Sequence, residues 1–221
     1  MSSVANLSHM SADPTRWSPT AVRILRATAE LIAKQGYSAT STRDIAAAVG
    51  VEQPAIYKHF SAKSDIFAAL VRLALQWPVE FAEELATLPA PAVVKLHRFL
   101  QESLDHLHAS PEVVVSVIAT PELWQDRFTA EQELAAKVER ALTELVETGQ
   151  AEGDLRAMNP VSASRLLQAL FDALTPQLAV SPHEILEFAM IAMLADPARL
   201  TEIRCAANAL DIHTPRPSIG I

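Results

Sequence analysis

The chain has 221 residues, of which 50% are apolar, and its formal net charge is −8 at pH 7. This length and apolar content exclude disorder except at the ends, and they suffice for one large core or two small ones. The single cysteine, Cys205, excludes an internal disulfide, and the sequence contains no signal-peptide pattern and no apolar run of about twenty residues. We therefore expect a cytoplasmic protein that has no membrane partner.

The charge is unevenly distributed along the chain. Residues 1–65 carry seven Lys and Arg against five Asp and Glu, a net of +2, whereas residues 66–221 carry eleven against twenty-one, a net of −10. Nucleic acid would repel the acidic part and attract the weakly basic amino end. The pattern therefore favours contact with a polyanion through the first part of the chain, in a binding mode that is sensitive to salt.

Helices are predicted along almost the whole chain. The sequence has only five glycines, few β-branched alternations and many Ala and Leu residues, while its fourteen prolines mark where helices stop. Residues 1–15 show no lasting period and are expected to form a loose tail. Ser18 followed by Pro19 predicts the start of a first helix, which should run to Gln35 and end at Gly36.

Two short helices are predicted between residues 40 and 65. The first should begin at Ser41 or a flanking threonine, whose side chain can accept a hydrogen bond from a free N–H of the first turn, and Asp44 complements the positive helix end. Gly50 suits the left-handed residue that ends a helix. Because a proline is harmless only in a first helical turn, Pro54 indicates that a second helix begins there. Such a pair is typical of a DNA-binding helix-turn-helix.

The second short helix should present polar side chains to solvent, since Ile56 and Phe60 can both face inward. A helix reads base edges in the major groove from its N-terminal half, so Gln53 is expected to pair with adenine and Pro54 to touch a thymine methyl group. The alternative is an ordinary solvated face. Phosphate contacts are expected from the flanking polar residues, namely Thr42, Arg43, Tyr57, Lys58, His59 and Lys63.

The segment Val51-Glu52-Gln53-Pro54, with Tyr57 and His59 following it, resembles the Tet repressor family of bacterial transcriptional regulators. The resemblance covers roughly residues 18–70 and rests on spacing, turn residues and exposed residue types together. Ala55 replaces a hydroxyl residue and Lys58 replaces a tryptophan, so the base preference is expected to differ. The family implies that the operator is contacted by Thr42, Arg43, Gln53, Pro54, Tyr57, His59 and Lys63, with Ala55 and Lys58 on the same helix.

The remaining elements are predicted as segments separated by prolines. A fourth helix should start near Ala62 or Lys63 and continue towards Trp77-Pro78. It would link the DNA-binding part of the chain to the remaining helices, which we call the body. The body segments are then 79–88, 91–108, 111–119, 121–150, 161–179, 182–195 and 197–210.

Two late segments, 161–179 and 182–195, carry more apolar surface than one core can bury. Pairing of two copies would bury the excess, and a two-fold dimer would hold its recognition helices about 34 Å apart on a near-palindromic operator. The alternative is that both helices are central to a monomer. The candidate interface residues are Leu167, Leu170, Phe171, Leu174, Ile185, Phe188 and Ala192.

The resemblance implies an all-α fold with two domains: a three-helix helix-turn-helix DNA-binding domain at 16–62 and a helical effector-binding and dimerisation domain at 63–210, with a frayed tail at 211–221. It implies a homodimeric repressor that occupies double-stranded operator DNA and leaves when a small, largely apolar effector binds the body. The residues expected to line the effector pocket are Leu104, Val117, Trp124 and Phe128.

Two rival classes are a helical-bundle enzyme and a helical adaptor that binds only protein. An enzyme would need a nucleophile or a metal constellation, and the sequence has no Gly-rich phosphate loop and no Gly-x-Ser-x-Gly elbow. Glu102 and His106 lie on one helix face, but metal ligation requires converging partners. We therefore expect no catalytic activity, no cofactor and no metal.

Overall fold

The computed structural model describes residues 17–108, 120–171, 173–174 and 179–214. Within these ranges the secondary structure is helical apart from an isolated antiparallel bridge between Leu155 and Leu194, which confirms the predicted all-α class. None of the helices in the described part has the length and apolar character needed to cross a bilayer. The helices are α1 (Pro19–Gln35), α2 (Thr42–Val49), α3 (Gln53–Tyr57), α4 (Lys63–Thr87), α5 (Ala92–His108), α6 (Thr129–Ala151), α7 (Pro160–Phe171), α8 (Pro182–Met193) and α9 (Leu200–Asn208), with 3₁₀ turns at Pro121–Trp124, Asp126–Phe128 and Pro197–Arg199.

The chain divides into two compact units. Among described residues, unit 1 contains 17–76 and 120–132, and unit 2 contains the others. The predicted domain limits, 16–62 and 63–210, differ from these units because the first part of α4 and the segment 120–132 pack with α1 to α3. The expected tail 1–15 and helix 111–119 lie outside the described residues.

The first helix follows its sequence signals. The Ser18 hydroxyl accepts a hydrogen bond from the Ala21 N–H at 3.2 Å, and the chain leaves the helix at Gly36, whose φ is 82°. The apolar stripe of α1 is buried, with Ile24 and Leu25 at 0% and 1% exposure. Burial of such a side chain stabilises by roughly 1.5–3 kcal/mol, so this stripe fixes α1 within unit 1.

The second helix starts with a reciprocal cap between Ser41 and Asp44. The Asp44 N–H donates to the Ser41 hydroxyl at 3.2 Å, and the Ser41 N–H donates to the Asp44 carboxylate at 2.8 Å. The hydrogen bonds from Ser41 hold the pKa of Asp44 below its usual value. Two orphan donors of the helix start are thus satisfied, as the sequence predicts.

The prediction that a helix stops at Trp77-Pro78 is wrong, because α4 is a single helix with Pro78 inside it. A proline inside a helix costs about 3 kcal/mol, mainly through the lost hydrogen bond and a clash with the preceding turn. Apolar packing on both sides of Pro78 offsets this cost: Trp77 and Phe81 are buried and stack with ring centroids 4.9 Å apart.

The prediction of one helix over 121–150 is also wrong at its start. Two 3₁₀ turns come first, separated by Gln125 in an extended conformation, and α6 begins only at Thr129. The Gln132 side-chain amide donates to the carbonyls of Leu123 and Gln125, at 2.9 Å each. These bonds satisfy carbonyls that a continuous helix would have paired within itself.

In unit 2, part of the segment expected to fray is held by Glu84. Its carboxylate accepts hydrogen bonds from the His213 N–H at 2.5 Å and the Thr214 N–H at 2.7 Å, and from the Thr214 hydroxyl. The hydroxyl bond is the largest reason that the pKa of Glu84 falls to about 2. Residues 213–214 are therefore tied to α4 at neutral pH.

We predict that Ser41→Ala lowers the free energy of unfolding by about 1 kcal/mol, because the cap of α2 is lost. In a protein of this size the melting temperature should fall by roughly 2–4 °C. Ser61→Ala is the matched control, since Ser61 is exposed and lies two residues before the start of α4. Equal melting temperatures for the two variants, measured by circular dichroism, would show that the cap contributes nothing.

Candidate nucleic-acid interface

The direction of α3 is fixed by two buried side chains. Ile56 and Phe60 are 0% and 2% exposed, and Trp17 stacks on Phe60 with ring centroids 5.5 Å apart. Because residues four apart share a helix face, the other faces of this short helix turn outward. The exposed residues on and after α3 are Pro54, Tyr57 and Lys58, while Gln53, Ala55 and His59 are half-buried.

The turn between α2 and α3 is held by backbone and side-chain bonds. Gly50 adopts a left-handed conformation with φ 74° and ψ 38°, as its position at the helix end predicts. The Val51 N–H donates to the Ala46 carbonyl at 3.0 Å, and the Arg23 guanidinium on α1 donates to the Val49 carbonyl. The carbonyls at the end of α2 are thereby satisfied, and the angle between the two helices is set.

Three of the predicted DNA-contacting side chains meet at their polar tips. The Gln53 amide donates to the Thr42 hydroxyl at 2.8 Å and to the Tyr57 hydroxyl at 3.4 Å, and these two hydroxyl oxygens are 3.3 Å apart. Tyr57 is 48% exposed. We call Thr42, Gln53 and Tyr57 the polar triad. It joins the start of α2 to the outward face of α3.

The other predicted contacts surround the polar triad. Arg43 is exposed in the first turn of α2, and Lys58 is exposed just after α3. His59 is tied back to the start of α1, where its Nδ1 lies 3.4 Å from the Ser18 hydroxyl. The Ser18 contact was not predicted, because the sequence marks Ser18 as a helix cap but gives no sign of a partner 41 residues away.

Lys63 is half-buried, and its ammonium group is bonded within unit 1. Its ammonium group donates to the carbonyls of Tyr37 and Thr40, at 2.8 and 2.7 Å, and lies 4.0 Å from the centroid of the Tyr37 ring. Desolvation lowers the pKa of Lys63 and also raises the pKa of Tyr37. These bonds connect the start of α4 to the loop between α1 and α2. Contact of Lys63 with phosphate stays a prediction.

The segment 120–132 supports this unit, although sequence reasoning placed it in the body. Phe128 is buried against Tyr37 and Phe67, with ring centroids 6.3 and 4.9 Å apart. The Ser38 hydroxyl donates to the Glu122 carboxylate and is the main reason that the pKa of Glu122 is lowered. No local sequence pattern signals these contacts, since they join residues far apart in the chain.

The candidate effector residues lie in different places. Leu104 is buried in α5, within unit 2. Trp124 is 66% exposed and Phe128 is buried in the aromatic cluster just described, both within unit 1. Val117 lies outside the described residues. A pocket formed by this set stays a prediction.

The candidate dimer residues divide by exposure. Leu167, Leu174 and Ile185 are buried within the protomer. Leu170 and Phe171 are half-buried, and Phe188 and Ala192 are exposed. Three further large apolar side chains that the candidate set omits are exposed on the same helices: Val161 and Leu166 on α7, at 40% and 68%, and Ile191 on α8, at 42%.

Comparison with known proteins agrees with this geometry. The family model for bacterial regulatory proteins of the tetR family matches residues 24–70, which include α2 and α3. The transcriptional repressor KstR2 of Mycolicibacterium smegmatis is 29% identical over 89 residues. That match covers 39% of this chain and 43% of the repressor, so it spans less than half of the relative's length.

Solved structures extend the likeness to most of the chain. AmtR of Mycobacterium smegmatis is 30% identical, with a TM-score of 0.72 over 90% of this chain and 99% of that protein. The ketosteroid transcriptional regulator KstR2 of Mycobacterium tuberculosis has a TM-score of 0.68 over 84% of this chain and 100% of that protein. At 17% identity, this second likeness concerns the fold alone.

We predict that Lys63→Ala lowers the free energy of unfolding by on the order of 1–3 kcal/mol, because charged hydrogen bonds to two carbonyls are lost. Lys58→Ala is the matched control, since Lys58 is exposed. It should leave thermal stability unchanged and flatten the salt dependence of DNA binding by about one phosphate contact. An unchanged melting temperature for Lys63→Ala would show that its two hydrogen bonds contribute nothing to stability, and a flatter salt slope for the same variant would support the predicted phosphate contact.

Proposed function

Because this chain belongs to the tetR family of bacterial regulatory proteins, we propose that it acts in the cytoplasm as a homodimeric repressor that binds a palindromic operator and is released by a small, largely apolar effector. The family consists of transcriptional regulators, and we propose no catalytic role. The observation that carries the proposal is the polar triad, which presents Gln53 and Tyr57 outward while Ile56 and Phe60 are buried beneath them.

Base reading is assigned to the start of α3. A bidentate contact with adenine requires the Gln53 side chain to accept one hydrogen bond through its oxygen and to donate one through its nitrogen. The bond from this nitrogen to the Tyr57 hydroxyl is long, at 3.4 Å, so exchanging it for a bond to a base costs little. The shorter bond to Thr42, at 2.8 Å, keeps the amide oriented meanwhile. Pro54 and Ala55 next to it offer small apolar surfaces for a thymine methyl group.

Phosphate binding is assigned to the residues around the polar triad. Thr42 and Arg43 stand at the N-terminus of α2, where backbone N–H groups favour an anion. Lys58 and His59 follow α3 on the other side of the reading residues. These contacts would position the protein on the duplex without selecting a sequence.

Dimerisation is assigned to α7 and α8. Leu166, Phe188 and Ile191 are 68%, 64% and 42% exposed in the single chain, and Ala192 is exposed beside them in sequence. An apolar surface of this kind on a soluble protein is typical of a protein interface. A two-fold axis through it would present two copies of α3, which is what a palindromic site requires.

Effector binding is assigned to unit 2, between the end of α4 and α5. The Trp77 indole N–H and the Ser103 hydroxyl are buried there without a hydrogen-bond partner among the described residues, and the Trp77 ring lies 4.8 Å from that of His106. Leu104 is buried on the same helix. A few polar atoms in an apolar surround are the composition of sites for small apolar ligands.

We predict that Gln53→Ala reduces discrimination between the operator and operators with one changed adenine by about 1–3 kcal/mol, because one bidentate base contact is lost. Fluorescence anisotropy with a labelled palindromic fragment from upstream of the chain's own gene, and with mutated copies, measures this. Gln35→Ala, an exposed Gln at the end of α1, is the control. Equal weakening on every sequence would contradict the assignment of Gln53 to base reading.

We predict that Ala192→Glu converts the dimer to a monomer, since it introduces a charge into the apolar face of α8. Ala206→Glu is the matched control, because Ala206 is likewise an exposed alanine on a helix of unit 2. Sedimentation velocity over a range of concentrations separates the two states. A dimer that survives Ala192→Glu would place the interface elsewhere.

A further inference from the structure

A cleft in unit 2 opens between α5, α8 and α9, away from the residues assigned above. It has a volume of about 130 Å³. Five of its seven lining residues are polar or charged, and the other two, Pro182 and Leu186 of α8, are apolar. The polar residues are His97, Gln101 and Asp105 of α5, His183 of α8 and Arg204 of α9.

Two of the residues that line this cleft each have a polar atom that is buried without a partner among the described residues. These atoms are Nδ1 of His97, a residue that is only 1% exposed, and Oε1 of Gln101, one helical turn further along α5. A buried polar atom that makes no hydrogen bond costs roughly 1–3 kcal/mol. A ligand that enters the cleft and reaches these two atoms would recover this free energy.

The imidazole of His97 is neutral at physiological pH. Burial is the largest cause, and together with the positive charges of Arg204 and Arg98 it lowers the pKa of His97 to about 4. A neutral imidazole has one nitrogen that donates and one that accepts. His97 therefore offers the cleft a hydrogen-bonding group without a charge.

Two opposite charges complete the lining. Arg204 is exposed and Asp105 is half-buried. Neither forms an ion pair or a side-chain hydrogen bond with another residue in the described part of the chain. A single ligand with separated charges can satisfy both.

We propose that this cleft binds a small free α-amino acid as its zwitterion. The ligand carboxylate pairs with the guanidinium of Arg204, whose planar donors match a carboxylate. The ligand ammonium group faces the Asp105 carboxylate and Oε1 of Gln101. Nδ1 of His97 finds a partner in either tautomer, because the ligand has both donors and acceptors.

Charge and size select this class over simpler ligands. A ligand with only a negative charge would be repelled by the Asp105 carboxylate, and a ligand with only a positive charge would be repelled by the Arg204 guanidinium. The volume of about 130 Å³ corresponds to roughly four water molecules, which suits a small amino acid with a short side chain against Leu186.

Isothermal titration calorimetry on the full chain without DNA tests the proposal. The probes are each of the standard amino acids, with acetate and methylamine as ligands that carry one charge only. We expect at least one small amino acid to bind with one site per chain and neither single-charge probe to compete with it. Arg204→Ala and Asp105→Asn should each weaken this binding at least about tenfold, which corresponds to one charge-assisted hydrogen bond.

Lys137→Ala is the matched control, because Lys137 is an exposed cation on α6 that does not line the cleft. This variant should bind the amino acid with unchanged affinity. In the wild-type chain, nitrogen NMR should show that the ring signals of His97 shift when the amino acid is added. The proposal is overturned if no amino acid binds, if acetate binds equally well, or if Lys137→Ala weakens binding as much as Arg204→Ala. Since no DNA is present, these outcomes are independent of whether the chain recognises an operator.

Discussion

The candidate nucleic-acid interface depends on one constraint, the burial of Ile56 and Phe60 beneath α3. A helix of five residues has no stability of its own, because the cost of nucleation exceeds the few hydrogen bonds that it closes. Its position must therefore come from packing, and two large apolar side chains contribute roughly 1.5–3 kcal/mol each. With these two anchored, Tyr57 is 48% exposed and Gln53 is half-buried, and the polar tips of the two side chains meet on the outer side of the helix.

The contacts of Lys63, the first residue of α4, hold the loop between α1 and α2 within the same unit. Lys63 is half-buried, and a partly desolvated ammonium group is costly unless it is hydrogen-bonded; here it donates to the carbonyls of Tyr37 and Thr40. The Tyr37 ring beneath it also contacts Phe67 and Phe128. The start of α4, the loop after α1 and the segment 120–132 are thus held by one shared cluster. A displacement of any one of these three segments would change the packing of the Tyr37 ring.

Local sequence signals predicted α1 to α3 because caps and turns act over a few residues. Ser41 with Asp44, and Gly50 with Pro54, each need only near neighbours to act. The two wrong boundaries arose where distant contacts decided the outcome. Packing of Trp77 on Phe81 carries α4 through Pro78, and burial of Phe128 against Tyr37 and Phe67 accompanies the break before α6. The partners of Lys63 and His59 could not be predicted for the same reason.

Helix α8 carries apolar side chains on more than one of its faces. Ile185 and Ala189 are buried, and Leu186 turns towards the polar cleft on α5. Phe188 and Ala192, one turn apart, remain exposed on another side. A helix with a single core to face needs one apolar stripe, and additional apolar side chains in water lower solubility without adding to the stability of the monomer. The excess apolar surface of α8 fits the dimerisation proposed above, and the reciprocal Ser181–Glu184 cap fixes the start of this helix.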